Sequence, residues 1–534
     1  MSFAAERAGR SGLPIDEALP ALRAALAARS SVVLQAPPGA GKSTVVPLVL
    51  LEEPWARGKR LLMLEPRRLA ARAVAQRMAA TLGEPVGRTV GYRMRFDTRV
   101  SRDTRIEVIT EGVLTRMLQA DPALEGTALV LFDEFHERSL QTDLGLALAL
   151  DAQAAVAPEL KLLVMSATVD AGSIAEWLGG GSPVIAAGRA FSVETRYLGR
   201  GAPVLPEPRG GANTVSSSGR GAPRDESAER LTARALEQVL SETEGDVLVF
   251  LPGAREIRRV QSLLAEAGIG GEGAERPRLD RSGARRADRV LPLYGDLAGA
   301  DQDLALGPGP PGTRKVILST NIAETSLTVR GIRAVVDAGL VRRSVFDPVT
   351  GMSRLATQRI SRASADQRQG RAGRLEAGVC YRLWSEEAHR ALAPRSIPEI
   401  VEADLAPLAL ELAAWGVSDA AQLRWLDPPP PAQLSSARDL LHRLGALDPS
   451  GRITAHGRDM ARLAAHPRLA HMLLEARASG ELAIAARLAA LLSERDVLPR
   501  AHGPADADIR TRLELLDGDA QAPRGDAWGF ERVR

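Results

Sequence analysis

The sequence predicts an α/β protein made of two successive parallel-sheet domains and a helical C-terminal part. From residue 31 the short apolar runs SVVLQA, RLLMLEP, IEVIT, ALVLFDE and LKLLVMS alternate with helix-patterned stretches, which is how a parallel sheet covered on both faces reads. The alternation breaks in a segment rich in Gly, Pro, Ser and Arg and resumes with DVLVFLPG, VLPLYG, KVILST and IRAVVDAG. After about residue 395 the chain turns helical. The expected divisions are 1–198, a connector 199–228, 229–395, 396–450 and 451–534.

Pro14 to Ser30 carries Ile15, Leu19, Leu22 and Leu26 at helical spacing, a scaffold helix beside the first strand. Leu34 to Thr44, LQAPPGAGKST, then reads as a buried strand, a Gly-rich turn and a helix start. Such a turn aims backbone N–H groups into one concavity at a helix N-terminus, where the partial positive charge favours phosphate. Pro38, Gly39, Ala40, Gly41, Lys42, Ser43 and Thr44 are therefore expected to cradle a nucleoside triphosphate. Lys42 would reach its β- and γ-phosphates, and the Ser43 hydroxyl would ligate Mg²⁺. The usual first Gly of such a loop is Ala36 here. Of 69 basic residues only four are lysines, at 42, 59, 161 and 315. Lys42 thus fits a place where arginine's planar fork would not serve.

The later strands end in polar clusters, Glu65 to Arg68, Thr110 and Glu111, Asp133 to His136, and Ser166 to Thr168. The carboxyl ends of parallel strands are where functional groups gather. Asp133 ends an apolar strand and can hold Mg²⁺, and the adjacent Glu134 can orient and deprotonate an attacking water. That pairing points to a hydrolase rather than a passive nucleotide switch. His136 has no metal partner at ligand spacing and reads as a coupling residue.

The 199–228 connector has no apolar period and reads as solvated chain; a second polar stretch, Gly268 to Asp288, interrupts the second domain. That domain has no phosphate loop of its own. It offers QRQGRAGR, Gln367 to Arg374, in which Arg371 and Arg374 can project toward a neighbouring domain's γ-phosphate; such arginine fingers contribute roughly 10³ to 10⁵ in rate. Leu340 to Gln358, with DPVTG between two strand-like runs, predicts a β-hairpin.

At 534 residues the chain is long enough for several domains, and a 45% hydrophobic fraction supplies several cores. A net charge of +3 with a pI near 9.3 permits nucleic-acid contact without demanding it. The single cysteine, Cys380, excludes a disulfide within the chain, and a disulfide-linked partner is not expected. The start MSFAAERAGRSG has no apolar signal core, and no uncharged apolar run of about 18 residues occurs. A cytoplasmic protein without membrane contact is expected.

Taken together, APPGAGKST, EPRRLAA (65–71), TEGVLTR (110–116), DEFH (133–136), SAT (166–168), FLPG (250–253), STNIAETSLT (319–328) and QRQGRAGR (367–374) stand in the order of superfamily 2 DEAH/RHA-type helicases. The resemblance spans about residues 15 to 500, with Phe135 in place of the family's usual Ala. PEIVEADLAPLALELAAWG (398–416) and ITAHGRDMARLAAHPRLAHML (453–473) are most similar to the bacterial HrpB type.

The resemblance implies two tandem RecA-like domains, a winged helix and a partial helical bundle. It implies an ATP- and Mg²⁺-dependent helicase or translocase on single-stranded RNA, with DNA as a second candidate strand, moving 3′ to 5′. A regulatory nucleotide switch or scaffold is the rival expectation, and protein partners are not indicated. By the same resemblance Arg77 stacks on adenine; the aromatic partner expected opposite it is missing, with Leu306 nearest that place. Arg67, Arg68, Thr110, Ser319 and Thr320 hold the RNA backbone, and Arg95 lies in a hook-turn. Lys42, Glu134, His136, Gln367, Arg371 and Arg374 form the catalytic set, with Ser166 and Thr168 as coupling residues. The hairpin would part or steer strands. Ending at Arg534, the chain lacks a complete bundle and the further C-terminal domain of HrpB-type proteins, which is expected to affect unwinding more than hydrolysis.

Overall fold

Eight strands form the first sheet: β1 (Ser31–Gln35), β2 (Arg60–Glu65), β3 (Val90–Met94), β4 (Asp97–Arg99), β5 (Ile106–Thr110), β6 (Thr127–Phe132), β7 (Lys161–Ser166) and β8 (Val184–Ile185). Their order is β4-β3-β5-β2-β6-β7-β1-β8, parallel throughout except for the β3–β4 hairpin. Helices Leu19–Ala28, Lys42–Leu50, Arg68–Leu82, Glu111–Ala120 and Leu140–Ala155 alternate with the strands. Central strands covered on both faces need apolar residues at every position, and all six residues of β6 are buried. The four apolar residues of the scaffold helix and its lead-in, Ile15, Leu19, Leu22 and Leu26, are buried in the same core.

The second sheet contains β9 (Val193–Tyr197), β10 (Asp246–Phe250), β11 (Arg278–Leu279), β12 (Arg285–Leu293), β13 (Thr313–Ser319), β14 (Ile332–Asp337) and β17 (Gly378–Arg382). It is ordered β11-β12-β13-β10-β14-β17-β9. Two features depart from the sequence reading. β9 pairs in parallel with β17, so the strand placed in the first domain by the division at 198 belongs to the second sheet. As an edge strand it is only part-buried, and its VETRY sequence carries no sign of which sheet it joins. β12 starts inside the stretch read as a polar interruption, because its charged first residues pair with the short β11 rather than with an apolar face. Between β14 and β17, β15 (Leu340–Asp347) and β16 (Met352–Arg359) form the expected hairpin, paired from Leu340↔Arg359 to Asp347↔Met352.

This computed structural model describes residues 11–167, 171–188, 191–199, 201–202, 227–270, 278–279, 285–310, 312–325, 329, 331–348, 350–374, 376–493 and 508–517. Most of the 199–228 connector therefore lies outside the described residues, as does Thr168. Two units are distinguished, Met1–Glu402 with both sheets and Ala403–Arg534. The second unit is helical: Ala406–Trp415, Pro431–Arg443, Ala455–Arg462, Pro467–Ser479, Leu482–Ser493 and Ile509–Asp517. Leu408, Leu412, Leu434, Leu441 and Met460 are buried within it. An antiparallel bridge, Leu447↔Ile453, forms a small wing. The division at 450 falls inside that wing, since the DPSG turn signal marks a hairpin tip here and not a linker.

Candidate active site

The phosphate loop is shaped by its neighbours before any ligand is considered. Ala36 N–H donates to the Ser166 carbonyl at 3.0 Å, and Ile15 N–H to the Ala40 carbonyl at 3.0 Å, so β7 and the scaffold segment hold the loop at both ends. Gly39 and Gly41 have φ of 84° and 101°. At Gly41 a Cβ would come within 2.9 Å of Ile15 and Leu13, so glycine is required by both backbone and space. Gly41 also precedes the helix Lys42–Leu50 without a side-chain cap, leaving its N-terminal dipole for an anion.

Opposite the loop, β6 delivers Asp133 and Glu134. Lys42, 3% exposed, has Nζ 2.7 Å from Glu134 Oε1 and 3.5 Å from Asp133 Oδ1, while the Ser43 hydroxyl donates to Asp133 Oδ2. Glu134 is left-handed, with φ 48° and ψ 35°, a conformation that costs a non-glycine residue energy and persists where the surroundings enforce it. Burial alone would lower the Lys42 ammonium, but Asp133 and Glu134 hold it above its ordinary range. Burial would raise Glu134, but Lys42 first and then His136 hold it below.

Sequence reading passed over a third carboxyl group. Glu65, ending β2, is fully buried with no hydrogen-bond partner for either oxygen. Burial, then Asp133 and Glu134, push it well above the carboxylate range. His136 accepts a hydrogen bond at Nδ1 from Ala167 N–H at 3.4 Å, and its Nε2 lies 3.5 Å from Glu134 Oε2. His136 thus lies between the Ser166–Ala167 segment and Glu134. Ser166 itself is buried.

From the second sheet comes the helix Arg362–Gln369, N-capped by Ser361. Arg368 anchors it through Glu324 at 2.9 Å and Asp337 at 2.8 Å; Gln367 beside it is half-buried. Arg371 donates through Nε to the Glu324 carbonyl at 2.9 Å, and its Nη2 reaches the Glu324 and Thr325 carbonyls. Arg374 keeps Nε and Nη1 buried without a hydrogen-bond partner. Burial lowers it to about 10 while Glu134 pulls the other way; Arg371 is lowered by burial and by Arg374, again opposed by Glu134. Both arginines therefore feel the acid at the end of β6. Partnerless buried N–H groups suit an anionic ligand such as a γ-phosphate.

A polar latch joins the two sheets close by. Arg67 donates to the Asn321 carbonyl at 2.7 Å and to Glu137 Oε2 at 3.2 and 3.3 Å, and Thr325 Oγ1 donates to Glu137. The connection between the sheets is also short: Ala186 N–H donates to the Gln35 carbonyl at 2.8 Å and Phe191 N–H to the Gly373 carbonyl at 3.0 Å.

The residues expected on a nucleic-acid backbone divide. Arg68 is exposed and donates to the Arg95 carbonyl at 3.2 Å. Arg95 lies over the ring of Phe96, 4.8 Å from its centroid, and Phe96 is 88% exposed at the tip of the β3–β4 hairpin. Thr110 precedes the helix Glu111–Ala120 with no cap bond from its side chain, and Thr320 is half-buried. Arg67 differs, because its guanidinium is engaged in the latch. So does Ser319, fully buried as the last residue of β13, with its hydroxyl donating to the Thr320 carbonyl at 2.9 Å. Arg77 is exposed on the helix Arg68–Leu82, and Leu306 packs on the second domain's core.

Profiles of known families match in the same places: "DEAD/DEAH box helicase" over residues 17–177, "Helicase conserved C-terminal domain" over 231–376, and "Helicase associated domain (HA2), winged-helix" over 437–464. The chain is 48% identical over 485 residues to the ATP-dependent RNA helicase HrpB of Escherichia coli, covering 91% of this chain and 55% of that protein. The chain belongs to the DEAH/RHA-type helicases. Crystal structures of Escherichia coli HrpB, described as a DEAH/RHA helicase and as a DExH-box NTPase, superpose with TM-scores of 0.81 and 0.77 at 45% and 44% identity. These matches cover 97% and 98% of this chain and 60% and 58% of the solved ones. A more distant relative, the pre-mRNA-splicing factor ATP-dependent RNA helicase prp22 of Schizosaccharomyces pombe, is 35% identical over 87% of this chain and 37% of its own length. The chain thus spans little more than half of the first relatives it matches. Among the described residues no helix is long and apolar enough to cross a membrane.

Proposed function

We propose that this chain is an ATP-dependent motor on single-stranded RNA, moving 3′ to 5′. The observation that carries the reading is the convergence of Lys42, Asp133 and Glu134 from one sheet with Arg371 and Arg374 from the other. A nucleotide switch needs the first set only. The residues fit ATP with Mg²⁺: Ser43 and Asp133 would hold the ion, and the partnerless nitrogens of Arg374 and the Gly-rich amides would receive phosphate oxygens. Mg²⁺ supplies charge neutralisation on the phosphates. Glu134, kept ionised beside Lys42, accepts the proton of the attacking water. Arg371 and Arg374 offset negative charge that develops as the bond breaks. Because both arginines are anchored to the second sheet, hydrolysis is tied to the approach and separation of the two sheets, and a strand gripped by Arg68, Thr110 and Thr320 advances with that cycle.

Phosphate contacts dominate such a grip, and an aromatic content of 3% leaves little for reading bases. Single-stranded RNA should therefore raise ATP turnover with little sequence preference, and its affinity should fall steeply with salt. A duplex with a 3′ single-stranded tail should be opened, and one with a 5′ tail should not. The test measures phosphate release and strand displacement separately, with RNA and DNA of one sequence. Absence of stimulation by either nucleic acid, with ATP binding intact, would replace the motor by the switch.

A further inference from the structure

The helical unit brings together a cluster that the nucleotide chemistry does not use. His456 lies in the first turn of the helix Ala455–Arg462, and His471 in the helix Pro467–Ser479. His456 Nε2 is 2.9 Å from His471 Nδ1, and the rings meet edge to face at 85° with centroids 5.1 Å apart. Glu475 follows His471 by four positions on the same helix, which puts the two side chains on one face. One ring nitrogen from each histidine and a Glu475 oxygen all lie within 4.8 Å of one another. Both histidines are half-buried and Glu475 is exposed. The neighbouring His466 stands apart from the cluster, its Nε2 bonded to Asp404 at 3.0 Å.

These donors suit one class of ligand. A tetrahedral ion with bonds of about 2.0–2.2 Å to imidazole nitrogen and carboxylate oxygen holds its donors roughly 3.3 Å apart. The two ring nitrogens are already within half an ångström or so of that spacing, and the exposed Glu475 side chain is free to turn toward them. Two imidazoles with one carboxylate favour a transition-series divalent ion such as Zn²⁺ over Mg²⁺ or Ca²⁺, which prefer all-oxygen shells. The two nitrogens compete for a single shared proton in the hydrogen-bonded pair, whereas a cation satisfies both lone pairs and the charge of Glu475. We propose that His456, His471 and Glu475 form a Zn²⁺-class site. The ion ties the helix after the wing to the first long helix that follows, with its fourth position open to solvent. Its role is to stiffen that junction.

The test uses the full, untagged chain, stripped with chelator and kept free of nucleotide. Calorimetric titration with ZnCl₂ should show one equivalent lost or weakened roughly 10-fold or more in both His471→Ala and Glu475→Gln, since even outer-shell losses cost about that much. Glu475→Gln is nearly isosteric at an exposed position and keeps the test valid if a histidine variant misfolds. Co²⁺ in place of Zn²⁺ should give visible ligand-field bands that vanish in His456→Ala. No stoichiometric uptake by the parent would overturn the proposal. So would uptake unchanged in the variants, which would assign the ion to the carboxyl groups of the nucleotide cleft.

Discussion

Replacing Lys42 by alanine would leave Glu65, Asp133 and Glu134 buried together without the ammonium now 2.7 Å from Glu134 and 3.5 Å from Asp133. Removing one partner of a buried ion pair costs about 3–5 kcal/mol, because the remaining charge is still desolvated. In a domain of this size each kcal/mol shifts melting by roughly 2–4 °C, so the first transition should fall by roughly 6–20 °C near neutral pH. The loss should depend on pH with a definite sign. In the parent, Glu134 is held below its ordinary value of 4.5; its stabilising contribution is complete above that value and lost as pH falls through the depressed one. Without Lys42 the largest influence left on that carboxyl group is burial, which raises it, so the variant should lose stability as pH rises toward neutral. The gap between parent and variant should therefore be open already at pH 4.5 and widen further toward pH 7 and above. Scanning fluorimetry from pH 4.5 to 8, without nucleotide or Mg²⁺, measures it. A variant melting within about 2 °C of the parent at pH 7.5, or a gap that does not widen with pH, would refute the reasoning.

Glu134→Gln should lower turnover by roughly 10²–10⁴-fold, the usual contribution of a general base, while a nucleotide titration shows binding retained. Arg371→Ala and Arg374→Ala should each cut phosphate release by roughly 10³-fold or more, but their melting curves should differ. Arg374 leaves two buried nitrogens, Nε and Nη1, without partners, so its removal should leave melting unchanged or slightly raised. Arg371 gives up bonds to the Glu324 and Thr325 carbonyls, at a cost of about 1–3 kcal/mol. Glu137→Gln should weaken the latch to Arg67 and Thr325 by about 1.5–3 kcal/mol, which is roughly 10- to 150-fold in the population of the joined form. Energy transfer between dyes on the two sheets would report that, and unchanged transfer would remove Glu137 from the latch.

What could be read from the sequence follows from distance along the chain. The phosphate loop and Asp133–His136 are contiguous, each carrying its chemistry in a few residues between a strand and a helix, and they lie where the strand pattern puts them. Glu65 sits in a polar cluster noted only for its arginines, because the carboxyl groups that push it upward, Asp133 and Glu134, lie far along the chain. The engagement of Arg67 by Glu137 and Asn321 is likewise a contact between distant segments, so a motif position expected on RNA turns out to bridge the two sheets. Ser319, expected on RNA through the resemblance, ends β13 fully buried with its hydroxyl on the Thr320 carbonyl, a burial that strand partners distant in the chain impose. β9 was assigned to the wrong sheet because an edge strand of mixed polarity says nothing about its partner.

The short crossing between the sheets sets a limit on how far they can part. Ala186 is bonded to Gln35 at the root of the phosphate loop, and Phe191 to Gly373 between the two finger arginines. Five residue steps separate those anchors, which at about 3.3–3.6 Å per residue is a leash of under roughly 18 Å. A Cβ on Gly188 would lie 2.2 Å from the Pro37 ring, so the leash runs hard against the loop it starts from. The 199–228 stretch, by contrast, leaves from β9 and returns at the helix Ala228–Glu242, both on the second domain. Its length therefore does not enter the distance between the two sheets. As long as both anchors hold, the two sheets cannot part further near Gly373 than this five-residue leash allows, even with the Arg67–Glu137 latch released.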